Sequence, residues 1–285
     1  MGALVNLNGA LVPPDRAFIS VFDRGFLYGD SIYEVVRTYR GKMFELEAHL
    51  ERLEASADRI GLTLPMPADA LGQQMAHTLA MAEMDGEAYV RIVVTRGSGE
   101  ISLDPNAAVD PAFVIIAKPL TPYPAELLEN GCKVAFAGVR RNPKQALDPA
   151  AKTGNYLNSV MAVGDARKVD AHEAILLGLD GGVTEGASSN VFLVKAGTLV
   201  TTALDVGILA GVTRRIVLEL ARGLKIPTQE RRVEQAELEN ADEAFLASSI
   251  REVMPIACLG DKVLASPGPI TTKLRNAFRA RTEKA

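Results

Sequence analysis

Two stretches decide the reading of this chain: Ala151-Lys152-Thr153-Gly154-Asn155-Tyr156 and Val183-Thr184-Glu185-Gly186-Ala187-Ser188-Ser189-Asn190-Val191-Phe192. The first sets a lysine among small and polar residues, and the second sets a glutamate beside turn-forming ones. Between them Leu157, Val160, Met161 and Gly164 recur at helical spacing, predicting a helix from Tyr156 to Arg167 with Lys152 just ahead of it at the rim of the core. Ala174 to Leu177 then reads as a buried strand, Asp180-Gly181-Gly182 as a turn, and Asn190 to Val194 as a strand leading out of the Glu185 segment. Taken singly, Lys152 has the ordinary reading of a solvated amine and Glu185 that of a loop carboxylate.

Together they match a specific need. A lysine able to form a Schiff base and a carboxylate able to keep a pyridine nitrogen protonated are what pyridoxal 5'-phosphate requires from its protein. In context, Lys152-x-x-Asn155-Tyr156 and Thr184-Glu185-Gly186-x-x-Ser189-Asn190-Val191-Phe192 resemble the two signature segments of the class IV, fold type IV aminotransferases. That family includes branched-chain and D-amino-acid aminotransferases and aminodeoxychorismate lyase.

Gly207 to Arg215 precedes an amphipathic helix carrying Ile216, Leu220 and Leu224, a place where free backbone N–H groups and the helix dipole favour an anion. The resemblance implies that this segment, with Val212 and Thr213, grips the cofactor phosphate. It also implies phosphate roles for Ser248 and Ser249 at the end of a strand from Phe245, and for Arg52, which meets the family pattern His-x-x-Arg-Leu. A guanidinium supplies the forked donors suited to a phosphate. Without the resemblance, paired serines at a strand end are turn residues and Arg52 is an exposed helix arginine.

The resemblance covers about Asn8 to Pro255 and implies an α+β chain: a smaller N-terminal α/β domain, a larger C-terminal domain with a barrel-like sheet, and the cofactor in the cleft between them. It further implies a homodimer, with the segment from Asp23 to Asp30, read here as a glycine-punctuated loop, a candidate to reach the partner. By the same likeness Lys152 holds the cofactor and moves the proton at the substrate Cα, Glu185 faces the pyridine nitrogen, and Tyr156 donates to the cofactor's phenolate oxygen. The partners are an α-amino acid and a 2-oxoacid.

The substrate signals are mixed. Tyr33-x-Val35-x-Arg37 resembles the D-amino-acid branch, whereas Tyr89-x-Arg91 resembles the branched-chain group. After Gly97 the chain lacks the arginine and histidine with which typical D-amino-acid enzymes hold the substrate carboxylate. Arg37, Arg91 and Arg251 are the cations left for that task, and the backbone at Ile250 faces the substrate by the same likeness. Val35 narrows the pocket and tips the expectation to D-amino acids. The alternatives are an L-branched-chain aminotransferase, then aminodeoxychorismate lyase or an (R)-amine transaminase. A noncatalytic module that binds the cofactor without turnover is the reading from another class.

Elsewhere the chain predicts a hairpin from Leu4 to Val12 hinged at Asn8-Gly9, and a strand from Ile32 to Tyr39 followed by a second at Met43-Phe44. Helices are expected at 47–60 and 71–84, and strands at 88–95, 112–117 and 134–138. The three prolines of Lys118-Pro119-Leu120-Thr121-Pro122-Tyr123-Pro124 exclude regular structure there, so residues 119–125 are read as a linker between domains 1–118 and 126–285.

A chain of 285 residues, 48% hydrophobic and 23% charged, can fill such cores. A net charge of −4 with interspersed signs offers no nucleic-acid face or polybasic membrane anchor. No run approaches the ~18 apolar residues of a membrane span, and Gly97-Ser98-Gly99 lacks the third glycine of a dinucleotide motif. Cys132 and Cys258 read as buried thiols of a reducing, cytoplasmic setting, and the scattered His49, His77 and His172 give no metal spacing.

Overall fold

The computed structural model describes residues 2–284. They form two compact units: residues up to Thr121 together with Ala151–Tyr156, and Pro122–Ala150 together with Leu157–Lys284. The linear division at 119–125 does not anticipate that Ala151–Tyr156, the lysine segment, packs with the first unit.

The first unit contains β1 (Leu4–Leu7), β2 (Ala10–Val12), α1 (Arg24–Tyr28), β3 (Ser31–Tyr39), β4 (Lys42–Met43), α2 (Leu46–Arg59), α3 (Ala68–Met81), β5 (Ala88–Thr95), β6 (Ser98–Gly99), β7 (Ala108–Val109) and β8 (Ala112–Pro119). Six strands form an antiparallel sheet in the order β2-β1-β8-β5-β3-β4. Alternation along the strands sends Ile32, Val36, Val90, Ile92, Val94, Phe113 and Ile115 to one face. There they pack with Leu53 of α2 and with Leu71 and Met75 of α3. Each such side chain contributes about 1.5–3 kcal/mol on burial. The opposite face carries Tyr33, Val35 and Arg37 of β3 against Val93, Arg91 and Tyr89 of β5, in direct cross-strand register.

Two expectations are corrected in this unit. The Asp23 to Asp30 segment is a short helix: Asp23 accepts the Gly25 N–H at 2.7 Å as its N-cap, and Gly29 closes it with a left-handed φ of 66°. The prolines also do not keep the chain irregular from Lys118 onward, because β8 runs through Pro119. Pro119 opposes Ala88 in a non-hydrogen-bonded pair, with Leu120 N donating to Glu87 O, and lies past the last β1 pairing at Ala117. Its missing N–H therefore costs the ladder no bond.

The second unit contains α4 (Ala125–Asn130), β9 (Cys132–Arg140), α5 (Leu157–Arg167), β10 (Glu173–Leu177), β11 (Val183–Gly186), β12 (Asn190–Lys195), β13 (Thr198–Thr202), α6 (Val212–Gly223), β14 (Thr228–Arg231), α7 (Gln235–Glu239), β15 (Glu243–Ser248), β16 (Glu252–Leu259), β17 (Lys262–Val263) and α8 (Pro269–Thr282). The helix α4 starts directly after Pro124, where a proline costs no helical bond, and residues 120–124 before it are irregular as expected. The mixed sheet runs β11-β10-β9-β16-β15-β12-β13-β14, with β17 on β16. Its two ends approach each other, since Gly182 bridges Glu234 and Val183 N donates to Val233 O at 2.8 Å, which gives the sheet its curled, barrel-like form. On one side Ala135, Ala137, Ala162, Ala166 and Ala174 make a thin alanine layer that lets α5 lie close on β9 and β10. Within the sheet Phe192 and Phe245, direct cross-strand partners, stack at 4.9 Å.

Glu185 lies within β11 and is not a loop residue. Cys132 is buried as expected, whereas Cys258 is only half-buried. Among the described residues no helix is long and apolar enough to cross a membrane.

Candidate functional site

In the first unit the chain around Lys152 is tied to the start of β3. Thr153 bridges Ile32, Tyr33 N donates to Lys152 O at 2.9 Å, and Gly154 N donates to Ser31 O at 2.7 Å. Lys152 N in turn donates to Ser56 Oγ on α2 at 3.1 Å. Nζ donates to Tyr33 Oη at 3.2 Å and stands 4.3 Å from the centre of the Tyr33 ring. Tyr156 meets Tyr33 edge to face with centroids 5.3 Å apart. Burial pushes the Tyr33 phenol far above its ordinary value, the neighbouring Tyr156 adds to this, and Arg91 offsets only part of it. Tyr33 thus stays protonated and serves Lys152 as a neutral acceptor.

The next residue of β3 points the other way. Glu34 enters the core, 1% exposed, and meets α2: Arg52 Nε and Nη2 donate to its two oxygens at 2.7 and 2.8 Å, and His49 Nδ1 lies 2.8 Å from Oε2. Burial pushes the Glu34 carboxyl up, but the Arg52 charge and the bonds from Arg52 and His49 outweigh it and hold the group well below the usual carboxylate range. Burial pushes His49 down despite Glu34, leaving a neutral ring that gives its Nδ1 proton to the carboxylate. Arg52 is therefore a half-buried partner of a buried carboxylate and not an exposed helix residue. Glu34 was missed in the sequence although one signal was there, because a charge on the apolar face of Ile32-x-Glu34-x-Val36 demands a partner.

On the sheet face shared with Tyr33, half-buried Val35 opposes Arg91 and Arg37 opposes Tyr89. Arg37 packs its guanidinium over Tyr39 at 4.2 Å, and Tyr89 carries Lys118 at 5.2 Å. Arg91 lies over the Tyr33 ring at 4.1 Å, and no carboxylate among the described residues forms an ion pair with it.

In the second unit Glu185 is 5% exposed and heavily hydrogen-bonded. Arg141 donates to Oε1 through Nε at 3.0 Å and Nη2 at 2.9 Å; Leu209 N donates to Oε2 at 3.1 Å and Asn190 Nδ2 at 3.4 Å. These donors fix the carboxylate in one orientation. Arg141 was not singled out in the sequence, and nothing local to it there points to Glu185. Asn190 also donates to Leu209 O at 3.0 Å, and a Cβ on Gly211 would stand 2.0 Å from Asn190 Oδ1, so any side chain here would have to displace that amide.

Gly211 is the N-cap of α6, and Arg215 N donates back to Gly211 O. The amides of Val212, Thr213 and Arg214 precede the first intrahelical bond, and both Val212 and Thr213 are buried. The Thr213 hydroxyl has no hydrogen-bond partner among the described residues. Ser248 Oγ accepts the Arg251 N–H at 3.2 Å across the turn that follows β15, and Ser249 and Ile250 are half-buried in that turn. The Arg251 guanidinium is engaged: Nη2 pairs with the buried Glu173 at 2.8 Å, Nη1 donates to Ser188 Oγ at 2.8 Å, and the group lies 5.3 Å from the Tyr123 ring centre.

Comparison with known proteins gives the family. The family model described as "Amino-transferase class IV" matches residues 31–259. A Methanocaldococcus jannaschii protein named "Putative branched-chain-amino-acid aminotransferase" is 37% identical over 277 residues, 96% of this chain and 95% of its own length. A D-alanine aminotransferase of Bacillus licheniformis is 33% identical, covering 98% of this chain and 99% of its own. The solved branched-chain amino acid aminotransferase of Thermobaculum terrenum in its PLP form superposes with a TM-score of 0.89 at 28% identity, covering 99% of this chain and 94% of its own. The fold is fold type IV, and the chain belongs to the class IV aminotransferases.

Proposed function

We propose that the chain uses pyridoxal 5'-phosphate to move an amino group from a D-amino acid to a 2-oxoacid. The observation that carries this reading is Lys152, an amine fixed through its backbone on both sides and oriented at Nζ by a protonated tyrosine. Each group suits one polar handle of the cofactor: Lys152 the aldehyde, the Glu185 carboxylate the pyridine nitrogen, and the leading amides of α6 with the unpartnered Thr213 hydroxyl the phosphate.

Bound pyridoxal phosphate supplies an electron sink conjugated to the substrate Cα. Lys152 Nζ takes the Cα proton and returns it one position along, a task that requires a neutral amine. Tyr33 Oη orients Nζ for it, and Tyr156 buttresses the Tyr33 ring. Glu185 holds the proton on the ring nitrogen, and its bonds to Arg141, Leu209 N and Asn190 keep it from rotating away. Arg91 is the cation that takes a substrate carboxylate, since Arg251 is already spent on Glu173.

Val35 supports the D reading: it is half-buried on the face of Tyr33, directly opposite Arg91, and its branched side chain crowds the space beside that cation. The second reading, L-branched-chain transamination, is favoured by the pairing of Tyr89 with Arg91 on one strand. Single-turnover mixing of the cofactor-loaded protein with D-alanine, D-glutamate and L-leucine, followed by absorbance, separates the two. Faster conversion by L-leucine overturns the D reading, and no conversion by any amino acid overturns transamination itself.

The reading extends to a homodimer in the cytoplasm. Phe18, Phe22 and Phe26 are 78%, 50% and 65% exposed in and beside α1, with Ile19 and Val21 between them, an apolar stretch of the kind that partner surfaces cover. Light scattering that returns a monomer mass at micromolar protein removes this part.

A further inference from the structure

We propose that Ser56 is a positioning residue for Lys152: the hydroxyl that closes one turn of α2 onto Arg52 also takes the Lys152 amide, and so sets where the amine stands. This rests on the reading of Lys152 as the reactive amine. Ser56 is 1% exposed. Its Oγ donates to Arg52 O at 2.8 Å, which uses its only proton, so toward Lys152 N at 3.1 Å it acts purely as an acceptor. Both bonds are made by one buried side chain. Tyr33 N holds the other side of the same residue through Lys152 O. The Lys152 main chain is therefore suspended between a helix and a strand, and Nζ, several rotatable bonds away, inherits its anchor from them.

The same hydroxyl joins α2 to the lysine segment. Arg52 is clamped by Glu34 from below and gives its carbonyl to Ser56, so the Glu34 ion pair and the lysine share one hydrogen-bonded path: Glu34, Arg52, Ser56, Lys152. A hydroxyl kept only to satisfy the helix would need no second partner, and helix interiors disfavour serine. The Lys152 amide gives it a reason to be there.

The test compares Ser56→Ala, the near-isosteric but poor acceptor Ser56→Cys, and Ser56→Thr in the cofactor-loaded protein. Two readouts are followed besides turnover: hydrogen exchange of the Lys152 amide, and the pH midpoint of the cofactor's visible absorbance. We expect Ala and Cys to speed exchange at Lys152 about tenfold and to lower kcat about as much with little change in KM. They should also displace the absorbance midpoint, and Thr should restore all three. Unchanged exchange and midpoint in Ala and Cys, with only Tm lowered, would show a packing residue and overturn the proposal. A parallel Lys152→Ala protein keeps the two claims apart. If its visible absorbance and turnover persist, Lys152 is not the amine and the functional reading fails, whereas faster Lys152 exchange in Ser56→Ala would still stand.

Discussion

Glu34 and Glu185 are two nearly buried carboxylates, each held by an arginine fork, yet they lie in different units and differ in their other donors. Glu34 faces the packed side of its sheet and is answered by Arg52 and the neutral His49, side chains of one helix. Glu185 is answered partly by a main-chain amide, Leu209 N, and by Asn190, which also braces the close approach of Gly211 at the head of α6. Burial and an arginine thus do not by themselves single out the carboxylate proposed to face the cofactor. What separates the pair is whether the surroundings belong to a hydrophobic layer or to a row of donors ahead of a helix.

Substitutions sharpen that contrast. The largest effect is expected at Lys152, which belongs to neither carboxylate's cage: Lys152→Ala should lower kcat by at least about 10²–10⁴-fold, read in steady-state assays, with Tm close to wild type. Glu34→Gln should act on stability instead. The half-buried Arg52, left without its anion, costs up to about 3 kcal/mol, measurable by denaturant unfolding. A variant that keeps its stability but loses turnover would erase the distinction drawn here. Glu185→Gln should show the reverse pattern, with kcat down by about 10²–10³ and a smaller loss of stability, because the neutral donors Leu209 N and Asn190 can still bond an amide oxygen.

A smaller effect lies in pH. His49 has a folded value depressed below its ordinary 6.5, so the unfolded chain binds the proton first. Stability contributed by the neutral ring is complete above that value and declines as pH falls, by at most about 1.4 kcal/mol per pH unit. Glu34, also depressed, adds a second decline as pH drops below its ordinary 4.5. His49→Asn should remove the first slope and leave the second, in urea titrations at a series of pH values.

Much of this was legible in the sequence because it was periodic. The strand from Ala88 to Thr95 is rich in β-branched residues and alternates up to Val94, and the Asn8-Gly9 hinge marked the first hairpin. The helices at 46–59 and 68–81 were misjudged only at their ends. What escaped depended on partners distant in sequence. Asp23 and Gly29 carried cap chemistry, but a glycine inside so short a turn reads as loop. The approach of Arg141 to Glu185 follows from how the curled sheet brings the end of β9 toward β11, which no local pattern encodes. Pro119 misled because only the register of β8 reveals that its nitrogen has nothing to bond.

The return of residues 151–156 to the first unit also governs the order in which the chain can mature. Along β3 the partner strand β4 covers only Thr38 and Tyr39, while Ser31 to Tyr33 are covered by the lysine segment, which arrives 119 residues later by the Tyr33–Lys152 separation. Until then that stretch is a bare edge able to pair with another nascent chain. A fragment ending at Thr121 would therefore self-associate through Ser31–Tyr33, and synthesis past Tyr156 is the step that seals the sheet.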